Sequence, residues 1–251
     1  MSMGVFKKAF SATFAVIAAA ALSLTLCYTI ISKVVSGPDL ENRPTVSVTG
    51  MSREQRASHM ISYLDEDGKE KALCTATAIG PHALLTASHC NDGIRSKAST
   101  AIKIDYSAHH YSILAVTSDD RDHDIYLIDG PAFRYTVPLV QGVPKPDDSV
   151  RFYGFGEGVY PSTERDGKIF ADEDPSDVDH AVQFFLFKIP VYHGDSGSAI
   201  YNQQGQVIGV VSYLVVWYGS EKMGAYALNF SPDRIETAQK FDPRDRTTYP
   251  Q

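Results

Sequence analysis

The segment His193-Gly194-Asp195-Ser196-Gly197-Ser198 places one serine inside a glycine-rich turn. A free serine hydroxyl is a weak nucleophile, so it needs a base beside it and a third group that orients this base. Two upstream segments offer both: Thr86-Ala87-Ser88-His89-Cys90 and Asp122-His123-Asp124-Ile125. The order histidine, aspartate, serine is one of the few in which such triads occur. The three segments therefore predict a nucleophilic serine site.

Composition argues against several classes of partner. The formal net charge is −7, and no basic patch is visible, which disfavours nucleic acid as a partner. The acidic stretch 172–179 is typical of a solvated loop, and His109-His110 has no second cluster with ligand spacing. We therefore expect neither a metal nor any other cofactor.

The N-terminal residues predict export. An uncharged, mostly apolar run covers residues 9–32, after Lys7-Lys8 and before Lys33. As a helix it would be about 36 Å long, enough to cross a hydrocarbon core of about 30 Å. We expect residues 1–33 to be a single-pass signal anchor, with Cys27 as an apolar membrane residue and the rest of the chain outside the cytoplasm. The alternative is a signal peptide that is cleaved, followed by secretion.

The remaining sequence predicts an all-β fold. Residues 34–58 form a polar connector, and from residue 59 short β-branched or aromatic runs alternate with turn residues. One helix is expected at residues 231–241, because Ser231-Pro232 supplies a cap and a first-turn proline.

From Cys74 to Phe241 the chain resembles trypsin/chymotrypsin-type serine proteases, above all their bacterial glutamyl-endopeptidase-like branch. The segments that carry the resemblance are Cys74-Thr75-Ala76-Thr77-Ala78-Ile79, Leu84–Cys90, Gly154-Phe155-Gly156 and Gly194–Ser198. The resemblance implies a protease domain over residues 59–251 that consists of two six-stranded antiparallel β-barrels and a C-terminal helix. The barrels would cover about 59–135 and 136–230, with the active site in the cleft between them.

The resemblance also implies a role for each candidate. Ser196 would attack the substrate carbonyl, His89 would act as general base, and the amides of Gly194 and Ser196 would form the oxyanion hole. For the orienting acid we prefer Asp124 to its rival Asp122. Asp124 directly precedes the apolar run 125–128, and the end of a strand holds a carboxylate better than a charged loop does.

Cys74 and Cys90 match the cysteines that clamp the histidine segment in this family, which implies a disulfide between them. A loop of this size contributes about 3 kcal/mol in the chain-entropy model. Such a bond is expected in an oxidising compartment, in agreement with export.

Three positions indicate what the substrate pocket accepts. By resemblance, Pro190 stands at the pocket floor, where trypsin-like members have aspartate, and Val211 stands where glutamate-specific members have histidine. Leu214 replaces a glycine of wide-pocket members, so we expect small or medium apolar residues before the scissile bond. The further substrate-binding candidates are His193, Ser212 and Gly224.

Activation has two interpretations. In the family, a new N-terminal amine pairs with the aspartate before the nucleophile, here Asp195, and Lys33-Val34 resembles the cleavage site that frees this amine. The simpler interpretation is that Lys33 only ends the membrane run.

The sequence thus predicts an exported serine endopeptidase that acts on protein or peptide substrates. Two alternatives stay open. One is a catalytically silent binding module on the same scaffold, and the other is an esterase that uses the same serine chemistry.

Overall fold

The computed structural model describes residues 49–64, 70–91, 101–105, 107, 109–142, 144–171, 184–187, 189–217 and 220–245. The predicted anchor, Cys27, the Lys33-Val34 bond and the acidic stretch 172–179 lie outside these residues. Within the described ranges, no helix combines the length and the apolar character that a membrane crossing needs.

The first barrel closes six antiparallel strands in the order β1-β2-β3-β6-β5-β4. The strands are β1 (Ser58–Leu64), β2 (Glu70–Gly80), β3 (Ala83–Ala87), β4 (Ala101–Ile104), β5 (His110–Ser118) and β6 (His123–Asp129). Both β3 and β6 are apolar runs, and they pair from Ala83 opposite Leu127 to Ala87 opposite His123. This pairing carries His89 and the acidic segment 119–124 to the same end of the barrel.

The second barrel repeats this closure in the order β10-β11-β12-β9-β8-β7. Its strands are β7 (Ser149–Gly154), β8 (Thr163–Ala171), β9 (Phe184–Phe187), β10 (Ala199–Tyr201), β11 (Val207–Trp217) and β12 (Ser220–Ala227). The expected all-β fold with two six-stranded barrels is therefore confirmed.

A shared apolar core joins the two barrels. Leu85 and Leu127 of the first barrel are buried in one cluster with Tyr201 and Val210 of the second. Burial of apolar surface contributes about 25 cal/mol per Å², so this seam is a main source of stability between the barrels. The seam fixes the cleft in which the candidate site lies.

Two helices pack against this core. Helix α1 (Arg53–Ala57) lies inside the predicted connector; the Ser52 hydroxyl caps it by accepting a hydrogen bond from the Gln55 amide at 3.1 Å. The pattern Ser52-Arg53-Glu54-Gln55 has the form of a capping box and was the available signal for this helix. Helix α2 (Pro232–Lys240) begins after the Ser231 cap and buries Ala238. It rests on Gly80, where a side chain would come within 2.8 Å of the α2 backbone.

The implied disulfide is present. Cys74 of β2 and Cys90 are bonded, with their Cα atoms 6.2 Å apart. Both residues are buried, at 3% and 1% exposure. The bond connects Cys90, the residue next to His89, to β2. This strand supports the turn that carries Ser196 (the nucleophile turn, residues 194–197).

Candidate active site

His89 lies in a helical turn that directly follows β3. Its ring is held on one side by Asp122, with Nδ1 2.9 Å from Oδ2, and its backbone amide donates to Oδ1 of the same residue at 3.0 Å. A carboxylate only accepts hydrogen bonds, so Nδ1 carries the proton. In the neutral imidazole, Nε2 then carries the lone pair, as a general base requires.

Asp122 is held from a second direction by Ser212 of β11, whose hydroxyl donates to Oδ2 at 2.6 Å. Burial alone would raise the pKa of Asp122, but the hydrogen bonds from His89 and Ser212 and the attraction of the His89 ring bring this pKa below its ordinary value. The carboxylate therefore remains ionised at neutral pH. Its backbone has a φ of +62°, an unusual value for a residue with a side chain.

In the structure the carboxylate beside His89 belongs to Asp122 and not to Asp124, the residue expected there. Asp124 is buried and accepts hydrogen bonds from the hydroxyls of Ser88 at 2.7 Å and Ser118 at 2.5 Å. The expectation placed Asp124 at the end of a strand, but β6 already begins at His123. Asp122 is the residue at the strand end, and Asp124 lies within the strand.

The turn that carries Ser196 is clamped between the barrels. The Ser196 carbonyl accepts a hydrogen bond from the Thr75 amide of β2 at 2.8 Å, and the Gly197 amide donates to Val211 of β11 at 2.8 Å. Gly197 has a φ of +83°, and a side chain there would come within 2.2 Å of the Thr75 carbonyl. Only glycine fits this position.

The disulfide brings the nucleophile turn and the base together. The Cys90 sulfur lies 3.9 Å from the Ser196 carbonyl oxygen. One ligand atom of His89 and the sulfurs of Cys74 and Cys90 all lie within 4.8 Å of one another. These three residues do not form a metal site, because both sulfurs are used in the disulfide.

A backbone hydrogen bond fixes the orientation of the peptide before Gly194. The His193 carbonyl accepts a hydrogen bond from the Glu157 amide at 2.5 Å. In a planar trans peptide the N–H points away from the C=O, so the Gly194 N–H faces the opposite side. Gly194 has a φ of +103°, and a side chain there would come within 2.6 Å of the Phe155 carbonyl.

Thr75 holds the next peptide, between Gly194 and Asp195, and was not found from the sequence. Its hydroxyl donates to the Gly194 carbonyl at 2.8 Å and accepts from the Phe155 amide at 3.2 Å. It is fully buried in β2. Nothing in its sequence surroundings, apart from the adjacent Cys74, distinguished it from other strand threonines.

Asp195 has an internal cationic partner. Its Oδ2 lies 2.7 Å from Nη1 of Arg165 on β8, and the Tyr192 amide donates to the same oxygen at 2.7 Å. The guanidinium lies between the rings of Phe152 and Tyr192, 5.3 and 5.0 Å from their centroids. Burial raises the pKa of Asp195, and Arg165 opposes this rise. Sequence reasoning missed Arg165, because a strand arginine carries no motif.

The pocket candidates occupy different environments. Pro190 is exposed, and Val211 is buried in the core of the second barrel. Gly224 of β12 lies opposite Tyr213, and a side chain on Gly224 would come within 2.3 Å of the Tyr213 ring. His193 is exposed, whereas the side chain of Leu214 lies outside the described set. The Tyr213 ring therefore fills the space beside Gly224. The sequence analysis had not included Tyr213 among the pocket residues.

Comparisons with solved structures identify the same architecture elsewhere. The active form of the Rv3671c protease from M. tuberculosis has 19% sequence identity and a TM-score of 0.56, with 76% of this chain and 84% of that chain covered. An HtrA-type protease, AlgW with a decapeptide, has 17% identity and a TM-score of 0.56, with 75% and 64% covered. At these identities the likeness supports the fold alone. A comparison with curated protein sequences gave no significant match.

The sequence itself supplies the family. Residues 74–210, more than half of the chain, match the model of the trypsin-like peptidase domain. This range contains the disulfide, His89, Asp122 and the whole nucleophile turn. With the two closed barrels and an aspartate-held histidine in their cleft, the chain belongs to the trypsin-like peptidase family and is a serine endopeptidase.

Proposed function

We propose that this protease hydrolyses peptide bonds with Ser196 as nucleophile, His89 as general base and Asp122 as orienting acid. The observation that carries the proposal is the chain of hydrogen bonds from Ser212 to Asp122 to His89. It fixes the imidazole in the tautomer whose Nε2 accepts a proton.

The reaction then proceeds in two balanced halves. Ser196 Oγ attacks the carbonyl carbon while its proton moves to His89 Nε2, and the amides of Gly194 and Ser196 stabilise the oxyanion. His89 returns the proton to the leaving amine, so that the C–N bond breaks and an acyl-enzyme remains. Water, activated by the same histidine, attacks the ester and releases Ser196.

Covalent labelling tests the nucleophile. A fluorophosphonate should label the full-length protein at Ser196, because only an activated serine reacts at a useful rate. Ser196→Ala should abolish labelling, and Ser149→Ala, which changes an exposed serine at the start of β7, should leave it unchanged. If the protein is a catalytically silent binding module, the folded wild-type protein should not be labelled. The esterase alternative requires turnover of ester substrates without cleavage of the matching peptides.

For specificity we propose small or medium apolar residues before the scissile bond. Pro190 provides no carboxylate, and the Tyr213 ring packs against Gly224. A lysine or arginine of the substrate would bury its charge unpaired, which costs several kcal/mol. Cleavage after these residues should be suppressed by orders of magnitude.

A peptide library with products identified by mass spectrometry measures this preference. We expect Ala, Val and Leu to dominate before the cleaved bond. Leu214→Gly should increase the share of Phe and Tyr, because glycine at this position is typical of wide pockets. Dominant cleavage after Lys, Arg or Glu would contradict the pocket assignment while leaving the triad intact.

We further propose that the protease domain works outside the cytoplasm, anchored by residues 1–33. The buried Cys74–Cys90 disulfide supports an oxidising compartment. Mass-spectrometric sequencing of the mature N-terminus tests this: an intact N-terminus in the membrane fraction agrees with an anchor. A new N-terminus before residue 34 would indicate secretion instead.

A further inference from the structure

A second histidine–aspartate pair adjoins the proposed catalytic pair in the sequence. His123 and Asp119 are buried, with side chains 0% and 1% exposed, and His123 Nδ1 lies 2.7 Å from Asp119 Oδ2. His123 is the residue after Asp122, yet its ring faces the protein interior and not the cleft. No step of the proposed mechanism uses this pair.

The contacts of His123 connect it to both barrels. Its Nε2 lies 3.1 Å from the Tyr226 carbonyl oxygen, while Nδ1 faces the Asp119 carboxylate. Both neighbours are acceptors, so a proton on either ring nitrogen has a partner. A buried carboxylate such as that of Asp119 persists only where hydrogen bonds satisfy it.

Asp119 meets this requirement with backbone donors. Oδ1 accepts from the amides of Arg121 at 2.8 Å and His123 at 3.1 Å, and Oδ2 also accepts from the Asn229 amide at 3.0 Å. Burial would raise the pKa of Asp119, but the hydrogen bond to the His123 ring and the attraction of that ring, together with the amides of Arg121 and Asn229, bring it below its ordinary value. The Asp119 carboxylate therefore holds the loop 119–123 together through its hydrogen bonds.

The loop is attached to both barrels. Within the first barrel, the Asp122 carbonyl accepts from the Ser88 amide at 3.0 Å, and the Asp119 amide donates to His123 at 3.0 Å. The second barrel contributes the Tyr226 carbonyl and the Asn229 side chain, whose Nδ2 donates to Asp120 at 2.6 Å. The left-handed backbone of Asp122 is held in the middle of this loop.

We propose that His123 and Asp119 are positioning residues that hold the Asp122 carboxylate against His89 and Ser212. The proposal rests on the triad described above. Without the pair, Asp122 loses the contacts that keep its backbone left-handed, and its carboxylate moves relative to the imidazole. A displacement of about 1 Å in a catalytic group costs about 10²-fold in rate.

The test compares variants by kcat per active site, titrated with a fluorophosphonate in the full-length protein. His123→Leu removes both ring contacts, and Asp119→Asn keeps the shape but replaces the charged acceptor beside His123 Nδ1 with a neutral amide. For both we expect kcat to fall about 10- to 100-fold with KM changed less than about threefold. The downfield proton resonance of His89 Nδ1 should shift or broaden. His82→Asn, at another buried histidine, serves as the matched control and should leave kcat unchanged.

A merely structural role predicts a different result. The variants would then lose stability and active fraction, while kcat per titrated site and the His89 resonance stayed as in the wild type, and the inference would be overturned. If His123→Leu does not fold, the isosteric Asp119→Asn decides alone. Failure of the triad itself would appear separately, as a wild-type protein that the fluorophosphonate does not label.

Discussion

Replacement of Asp122 by asparagine is expected to lower kcat about 10⁴-fold, whereas Asp124→Asn should change it less than about tenfold. An amide group at position 122 would donate towards His89 Nδ1 and force the proton onto Nε2, so the imidazole could no longer accept the serine proton. Asp124 contacts Ser88 and Ser118, and an asparagine oxygen can still accept from these hydroxyls. Burst-phase and steady-state kinetics on one peptide substrate measure both variants. The reverse order of effects would return the orienting role to Asp124.

Asp122→Asn should also change acid unfolding. The folded pKa of Asp122 lies below its ordinary value, so its stabilisation is complete above the unfolded pKa of about 4 and is lost as the pH falls through the folded pKa. The variant lacks this contribution, so its free energy of unfolding should depend less steeply on pH below about 4. Urea titrations of both proteins between neutral and acidic pH measure this difference in pH dependence.

The second large effect is expected from Arg165→Met, which should lower kcat/KM about 10²- to 10³-fold. The substitution leaves Asp195 buried without its cation, and breaking such a pair costs about 3–5 kcal/mol. The nucleophile turn can avoid this cost by letting Asp195 move to solvent, which would displace Gly194 and its amide. Arg151→Met, which removes a more exposed arginine 3.4 Å from Glu54, is the matched control and should retain activity.

The pairing of Asp195 with Arg165 also predicts how the enzymatic activity depends on pH in the alkaline range. A new N-terminal amine would lose its proton with an ordinary pKa of about 7.7–8.0, but a guanidinium stays charged. Wild-type activity should therefore show no alkaline loss from this ion pair, whereas Arg165→Lys should lose activity towards pH 10. Profiles between pH 7 and 10.5 separate the two. An alkaline decline in the wild type, together with a mature N-terminus at Val34 and loss of activity when this amine is acetylated, would restore the activation hypothesis.

The stability of Arg165→Met should also depend on pH in the acidic range, in a direction that the pKa of Asp195 defines. Burial raises the pKa of Asp195, and removal of Arg165 should raise it further. A carboxyl group with a raised folded pKa destabilises the fold above that pKa, and this cost disappears as the pH falls below the unfolded value. The stability difference between Arg165→Met and the wild type should therefore shrink at acidic pH. A difference that stayed constant with pH would assign the loss to packing between Phe152 and Tyr192 alone.

Much of the site follows from local chemistry that the sequence displays. Glycines at 194 and 197 were expected to form the tight nucleophile turn, and their positive φ values and close backbone contacts require glycine. The pairing of Cys74 with Cys90 and the position of His89 between β3 and the disulfide depend on residues near each other in the chain. The strands themselves were visible as short apolar runs separated by turns.

Tertiary structure decided which charged groups act together. Whether Asp122 or Asp124 reaches His89 depends on where β6 begins and on one left-handed residue, and neither has a signal in the local pattern. Arg165 meets Asp195 across 30 positions of sequence, and Thr75 meets Gly194 across 119. Electrostatic and hydrogen-bonding partners are selected by distance in space, which barrel closure sets. The sequence by itself determined the kind of chemistry and the turn that presents the serine, and only the folded barrels determined which acid orients the base and which cation orders the turn.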